Sequence, residues 1–151
     1  LPTDKFSTLL YAVYNAEDLS LVYACAAHPP LLVLRSASSE IFSLYLRGIP
    51  LGMFPSDVAL YKQQRFQLLP GDKVLFYTDG ITEIRNSENV MLGHEGLEKL
   101  LLEHRELPIA ALLQKIYDHG FVYSAYRGFN DDITLLGMEI VHGVIPCHPY
   151  P

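Results

Sequence analysis

The sequence predicts an α+β fold with a mostly antiparallel sheet. Three observations carry that expectation. Strand-like runs fill the first half of the chain. A helical period appears only after Asn86, and a single strand-like run follows the helices. Strands and helices therefore do not alternate as they do in parallel βαβ folds. The length of 151 residues is that of one domain. A chain of this size buries roughly 68–70% of its unfolded surface and needs no disulfide staple. Hydrophobic residues make up 50% and charged residues 19%, which excludes a disordered chain.

Each element has a local reason. Phe6 to Tyr14 is a strand by length and composition, Asn15 to Asp18 a polar loop, and Leu19 to Cys25 the returning strand of an antiparallel hairpin. Pro29-Pro30 ends it, since two prolines cannot serve a central ladder. Leu31 to Leu34 resumes as a strand, Ser36 to Ser39 is a small-residue turn, and Ile41 to Leu46 is a weaker strand. Gly48 to Pro55, with two glycines and two prolines, is an irregular loop whose apolar residues pack inward. Tyr61 to Leu68 reads as a strand on an exposed face.

Pro70-Gly71-Asp72 is a turn, because proline fixes φ and glycine accepts positive φ. Val74 to Tyr77 is a short buried strand, stopped by Thr78-Asp79-Gly80. Ile81 to Ile84 reads as the first turn of a helix, ended by Asn86 and Ser87. Leu92, Leu97, Leu100 and Leu101 at helical spacing predict a helix from about Gly93 to His104. Pro108 opens a second helix with an apolar stripe of Ile109, Leu112, Leu113, Ile116, Tyr117 and Phe121, bent or broken at Gly120. Tyr126 to Asn130 is loop, and Ile133 to Val141 the final strand. The domain is expected over residues 1–142, with residues 143–151, which hold three prolines, as a loose tail.

The net charge is −6, from 17 acidic and 11 basic residues, with no basic stripe, so nucleic acid is not an expected partner. The two cysteines, Cys25 and Cys147, have no CxxC or zinc spacing. Cys25 lies in an apolar run and is expected as a buried thiol, which fits a cytoplasmic protein. No apolar run approaches the roughly 18 residues of a membrane span, and no signal-like core follows a basic start. The chain opens at Leu1 without a starting methionine, which suggests a piece of something longer.

The acidic positions carry the chemistry. Asp79 ends one expected buried strand, while Asp131 and Asp132 precede another. Adjacent strands lie about 4.8 Å apart. If these two are antiparallel neighbours, their carboxylates converge and repel unless a cation sits between them. Oxygen ligands without a His or Cys cluster favour Mg²⁺ or Mn²⁺ over Zn²⁺. Such a metal acidifies bound water, and a metal pair clamps a phosphoryl group. The local alternative is that Asp79 only caps the turn after it. His28 reads as a turn histidine, His94, His104 and His119 as exposed helix residues, and Asp72 as part of its turn.

Five motifs occur in order: Ala26-Ala27-His28-Pro29-Pro30, Gly48-Ile49-Pro50-Leu51-Gly52, Leu69-Pro70-Gly71-Asp72, Tyr77-Thr78-Asp79-Gly80-Ile81-Thr82-Glu83 and Asp131-Asp132-Ile133-Thr134. Together they resemble the SpoIIE-like branch of the PPM-type, metal-dependent serine/threonine protein phosphatases, over roughly Phe6 to Val141. The resemblance implies a β-sandwich flanked by helices. It implies hydrolysis of phosphoserine or phosphothreonine on a regulatory protein, such as an anti-sigma-factor antagonist, by water activated on two Mn²⁺ or Mg²⁺ ions. It assigns Asp79 and Asp131 as metal ligands, with Gly80, Thr78, Asp132 and Thr134 in support. Glu83 is expected in a solvated role or behind the direct ligands, not as a ligand itself.

Two departures stand out. Ala27 replaces the family's glycine, and an alanine there is expected to hold φ below zero and shift the turn. The family's earlier half, with its metal-bridging aspartate, has no counterpart before Phe6. The sandwich is therefore expected to be incomplete, inactive by itself and weak in metal binding, with an open edge or face that favours a homo-oligomer. A non-catalytic, partner-binding module or pseudophosphatase is the alternative function.

Overall fold

The computed structural model describes residues 5–53 and 61–141. Six strands come first: β1 (Leu9–Asn15), β2 (Ser20–Ala26), β3 (Leu31–Arg35), β4 (Glu40–Leu44), β5 (Gln63–Gln67) and β6 (Asp72–Tyr77). Two helices follow, α1 (Gly93–Glu103) and α2 (Ile109–Tyr123), and then β7 (Leu135–Glu139). All pairings are antiparallel. One sheet runs β1-β2-β5 and the other β4-β3-β6-β7. The α+β class and the order of elements agree with the sequence expectation. The expected tail, with Cys147 and His148, lies outside the described residues, as does the end of the loop expected over Gly48 to Pro55.

The four-stranded sheet is the middle layer. Side chains alternate across it, so β3 sends Leu31 and Val33 to one face and Leu32 and Leu34 to the other. The first pair meets Leu21, Tyr23 and Cys25 of β2, forming the core between the sheets. The second meets Leu97, Leu100 and Leu101 of α1 and Leu112 and Ile116 of α2. Both faces of β3 are thus covered, which is why its sequence is one apolar run rather than an alternation. Each such leucine contributes about 1.5–3 kcal/mol by leaving water. Cys25 is a buried free thiol, as expected.

Several local expectations need correction. β1 starts at Leu9 and β7 ends at Glu139, so the strands expected from Phe6 and to Val141 are shorter. Ile81 to Ile84 does not open an α-helix. A single 3₁₀ turn spans Asp79–Ile81, and a tight turn closed by pairing of Arg85 with Met91 follows. There the Asn86 carboxamide oxygen accepts from the N–H of Glu88 and Val90 (3.0 and 2.9 Å), a cheaper local partner than another helical turn. Gly120 does not break α2, which continues to Tyr123. It lies buried one turn beyond Ile116, where a Cβ would meet Ile84 Cδ1 at 2.8 Å, so the missing side chain lets the helix approach. The buried stripe is therefore Leu112, Ile116 and Gly120, at steps of four. Tyr117 and Phe121, one position further round, are 45% and 39% exposed and are not core. His104 is half-buried rather than exposed. Ala27 holds φ at 56°, against the expectation of a negative value, because the turn from β2 into β3 demands the left-handed region whichever residue fills it.

Candidate metal centre where β6 meets β7

β6 and β7 are neighbours, with Tyr77 opposite Leu135. The end of β6 therefore meets the entry to β7, and one hydroxyl ties them together. Thr78 Oγ1 donates to the Asp132 carbonyl (3.1 Å) and accepts from the Thr134 N–H (2.9 Å). The Thr78 N–H donates to the Thr134 carbonyl (3.1 Å). The chain then turns sharply: the Asp79 carbonyl accepts from the N–H groups of Thr82 and Glu83 and from Thr82 Oγ1, each at 2.9 Å. The turn is closed by the Asp79 backbone, not by a side-chain cap. Gly80 is buried against β7, where a Cβ would stand 2.5 Å from the Asp132 carbonyl oxygen. Only glycine lets the two strand ends close to this distance.

Asp79, Asp131 and Asp132 are all exposed at this junction. Asp131 Oδ1 accepts the Asp132 N–H (2.8 Å), which fixes that carboxylate beside its own backbone. Mg²⁺ and Mn²⁺ take carboxylate oxygens, and Mg²⁺ keeps several waters with only one or two protein carboxylates, so the donor type fits a hard divalent ion. The ligand shell is not complete: among the described residues, no three His, Cys, Asp or Glu lie together in a group able to hold a metal.

Both ends of β6 and the turn from β2 into β3 are tied by side-chain bonds. Tyr77, the last residue of β6, reaches α1 through its hydroxyl, 2.9 Å from His94 Nδ1, and burial pushes that hydroxyl's pKa well above its ordinary value. At the other end of β6, Asp72 is buried and accepts two bonds from Arg35, Nε to Oδ1 at 3.2 Å and Nη2 to Oδ2 at 3.0 Å. It also accepts the Leu69 N–H (2.9 Å), so it serves the turn. Cys25 Sγ lies 3.3 Å from the His28 carbonyl, and His28 Nδ1 lies 3.1 Å from the Pro29 carbonyl; His28 is a turn residue.

Two adjoining depressions lie on the Asp131 side of the junction. One is lined by Asp131, Asp132, Tyr117, Phe129 and Asn130, among others. The other lies between the 84–89 turn and the loop after α2, and it shares Phe129 and Asn130 with the first. Arg85 and Arg127 line the second, and no carboxylate does. From the sequence, Arg127 reads only as part of a loop and Arg85 carries no functional signal. The two arginines are 42 residues apart in the chain (127 minus 85), so spacing carried no signal.

Residues 1–141 match the family described as Stage II sporulation protein E (SpoIIE). The chain belongs to the SpoIIE family. Phosphoserine phosphatase RsbU of Bacillus subtilis is 32% identical over 131 residues, 87% of this chain and 38% of its own length. The phosphatase domain of SpoIIE from Bacillus subtilis, in a manganese-presoaked structure, matches with a TM-score of 0.72 at 16% identity, over 91% of this chain and 58% of that one. The RsbU and RsbW domains of Rv1364c from Mycobacterium tuberculosis match with a TM-score of 0.68 at 26% identity, over 89% of this chain and 36% of that one. The chain thus spans well under half of the curated RsbU relative and part of a SpoIIE-type phosphatase domain. The sandwich with helices on one side is the fold of these SpoIIE-family neighbours.

Proposed function

We propose that residues 1–142 are the later portion of a metal-dependent protein phosphatase domain. The intact domain hydrolyses phosphoserine or phosphothreonine on a cytoplasmic regulatory protein, of the anti-sigma-factor antagonist kind, in a signalling pathway. The observation that carries this reading is the Thr78 tie, which brings the Asp79 end of β6 against the Asp131–Asp132 entry to β7. Asp79 and Asp131 are the metal ligands in this proposal. Thr78, Gly80, Asp132 and Thr134 hold the strand ends that carry them. The phosphoserine activity in the name of the Bacillus relative and the manganese presoak of the SpoIIE domain support the assignment. Mn²⁺ or Mg²⁺, when bound, supplies an acidified water able to attack phosphorus.

A second reading is a non-catalytic, partner-binding or pseudophosphatase module. It is favoured by the absence, among the described residues, of a third grouped ligand. Hydrolysis of p-nitrophenyl phosphate against Mn²⁺ concentration separates the two. The natural, full-length protein is expected to turn over, and Asp79→Asn to lower kcat/KM roughly hundredfold or more. The 151-residue chain by itself is expected to give no turnover. Full-length activity that survives Asp79→Asn would overturn the ligand assignment, and no activity at any Mn²⁺ concentration would leave the module.

A further inference from the structure

Beside the depression that holds Asp131 and Asp132 lies one lined by guanidinia. The chain is acidic overall, at −6, yet Arg85 and Arg127 face one depression that no carboxylate lines. Among the described residues neither arginine forms an ion pair, whereas Arg35, Arg65 and Arg105 each do. Each is instead steadied by a backbone carbonyl: Arg85 Nη1 donates to Asn89 (2.8 Å) and Arg127 Nε to Ser124 (3.3 Å). Those single bonds leave most of each guanidinium's five donors available. Amide side chains of Asn86, Asn89 and Asn130 also line the depression.

An aromatic ledge flanks it. Tyr117 and Phe121, exposed on α2, join the exposed Tyr126 and the half-buried Phe129 from the following loop. Ring centroids are 5.3 Å apart for Tyr117–Phe129, 5.4 Å for Phe121–Tyr126 and 6.2 Å for Phe121–Phe129. Tyr126 is 68% exposed, and both it and Ala125 hold positive φ, at 61° and 54°. Two successive non-glycine residues in that region cost of order 1–2 kcal/mol each, a strain more often kept at functional surfaces than elsewhere. Exposed aromatics beside unpaired arginines are the composition that marks protein-binding surfaces.

We infer that this surface docks an acidic segment of the phosphorylated partner protein, flanking the residue whose phosphate lies at the Asp79–Asp131 junction. The inference rests on the phosphatase reading for the identity of that partner. Charge decides the occupant: two unpaired guanidinia bind carboxylates in charge-assisted pairs, and the ledge covers the apolar parts of the same segment. Continuity decides the place, because Phe129 and Asn130 line both this depression and the one holding Asp131. Arg85 and Arg127 would set which phosphoproteins are accepted rather than carry out hydrolysis.

The test uses the natural full-length protein with Mn²⁺ and three phosphoserine peptides, flanked by glutamates, by glutamines or by lysines. Fluorescence anisotropy of the same peptides without phosphate gives a readout that needs no turnover. The glutamate peptide is expected to bind about tenfold tighter than the glutamine one, the scale of one charge-assisted contact, and to weaken as salt rises. Arg127→Glu, at an exposed position, is expected to reverse the order in favour of lysine, and Arg127→Lys to keep it. Equal binding of glutamate and glutamine peptides, or an order that Arg127→Glu leaves intact, overturns the inference. Arginine-dependent binding with no hydrolysis of any peptide would sink the phosphatase reading and leave the docking surface standing.

Discussion

At the scale of single residues, Gly80 decides how closely the strand ends meet. Gly80 faces the Asp132 carbonyl at a distance no Cβ tolerates. Gly80→Ala is expected to push the end of β6 away from β7 and to raise the Mn²⁺ concentration needed for half-maximal activity roughly tenfold or more, read from a metal titration of full-length protein. Unchanged Mn²⁺ dependence would mean that the two strand ends do not share a metal. Ala27 makes the opposite point. It occupies φ 56° on an exposed turn, a conformation that costs a β-carbon about 1–2 kcal/mol. Ala27→Gly removes that cost while adding freedom to the unfolded chain, so a net gain of about 0.5–1 kcal/mol is expected, or about 1–4 °C in Tm by calorimetry. A lower Tm would show that the turn does not hold its strain in solution. The sequence named Ala27 as a departure but misjudged the outcome, because the demand for positive φ comes from the turn and not from the residue.

At the scale of elements, what fixes α2 on the sheet was hidden from the sequence. Glu139, the last residue of β7, accepts the Ile109 N–H at the start of α2 (2.9 Å) and pairs with the buried Lys73 of β6 (3.4 Å). Lys73 also donates to the Arg105 carbonyl after α1 (2.8 Å). One carboxylate thus caps a helix with its positive dipole end and answers a lysine that is 6% exposed. Glu139→Ala would leave the lysine short of its charge partner and the helix start open, a loss of about 2 kcal/mol by urea denaturation. A loss under about 0.5 kcal/mol would place the helix anchor in apolar packing alone. Strand and helix identities were legible because β3 is one apolar run and α1 keeps its leucines at helical spacing. The end of the α2 stripe was not. Sequence period put Tyr117 and Phe121 in the core, whereas the buried line runs Leu112, Ile116, Gly120 and leaves both rings exposed; a glycine at a buried step carries no hydrophobic signal. The placement of Asp79 just after β6 and of Asp131 and Asp132 just before β7 was legible through the strand contexts. The arginine depression was not, since its two charges come from turns far apart in the chain.

At the scale of the whole molecule, the two sheets are covered unequally. The four-stranded sheet has the helices on one face and the other sheet on its second. The three-stranded sheet turns Leu9, Tyr11 and Val13 of β1 outward at 47%, 62% and 49% exposure, beside Ala24 of β2. Alternation along β1 makes this an apolar stripe on one face, where a sheet facing water normally carries polar residues. β1 is also an edge strand, with one side of its ladder unpaired among the described residues. An apolar face next to an open edge favours burial against a second copy. The chain is expected to run as a dimer or larger species by light scattering. Tyr11→Lys, which places a charge at the centre of the stripe without touching the inner core, is expected to return it to the monomer. A monomer at every concentration for the unaltered chain would show that this face is tolerated in water. A dimer that Tyr11→Lys leaves intact would place the contact on another surface, with the aromatic ledge of α2 as the next face to test.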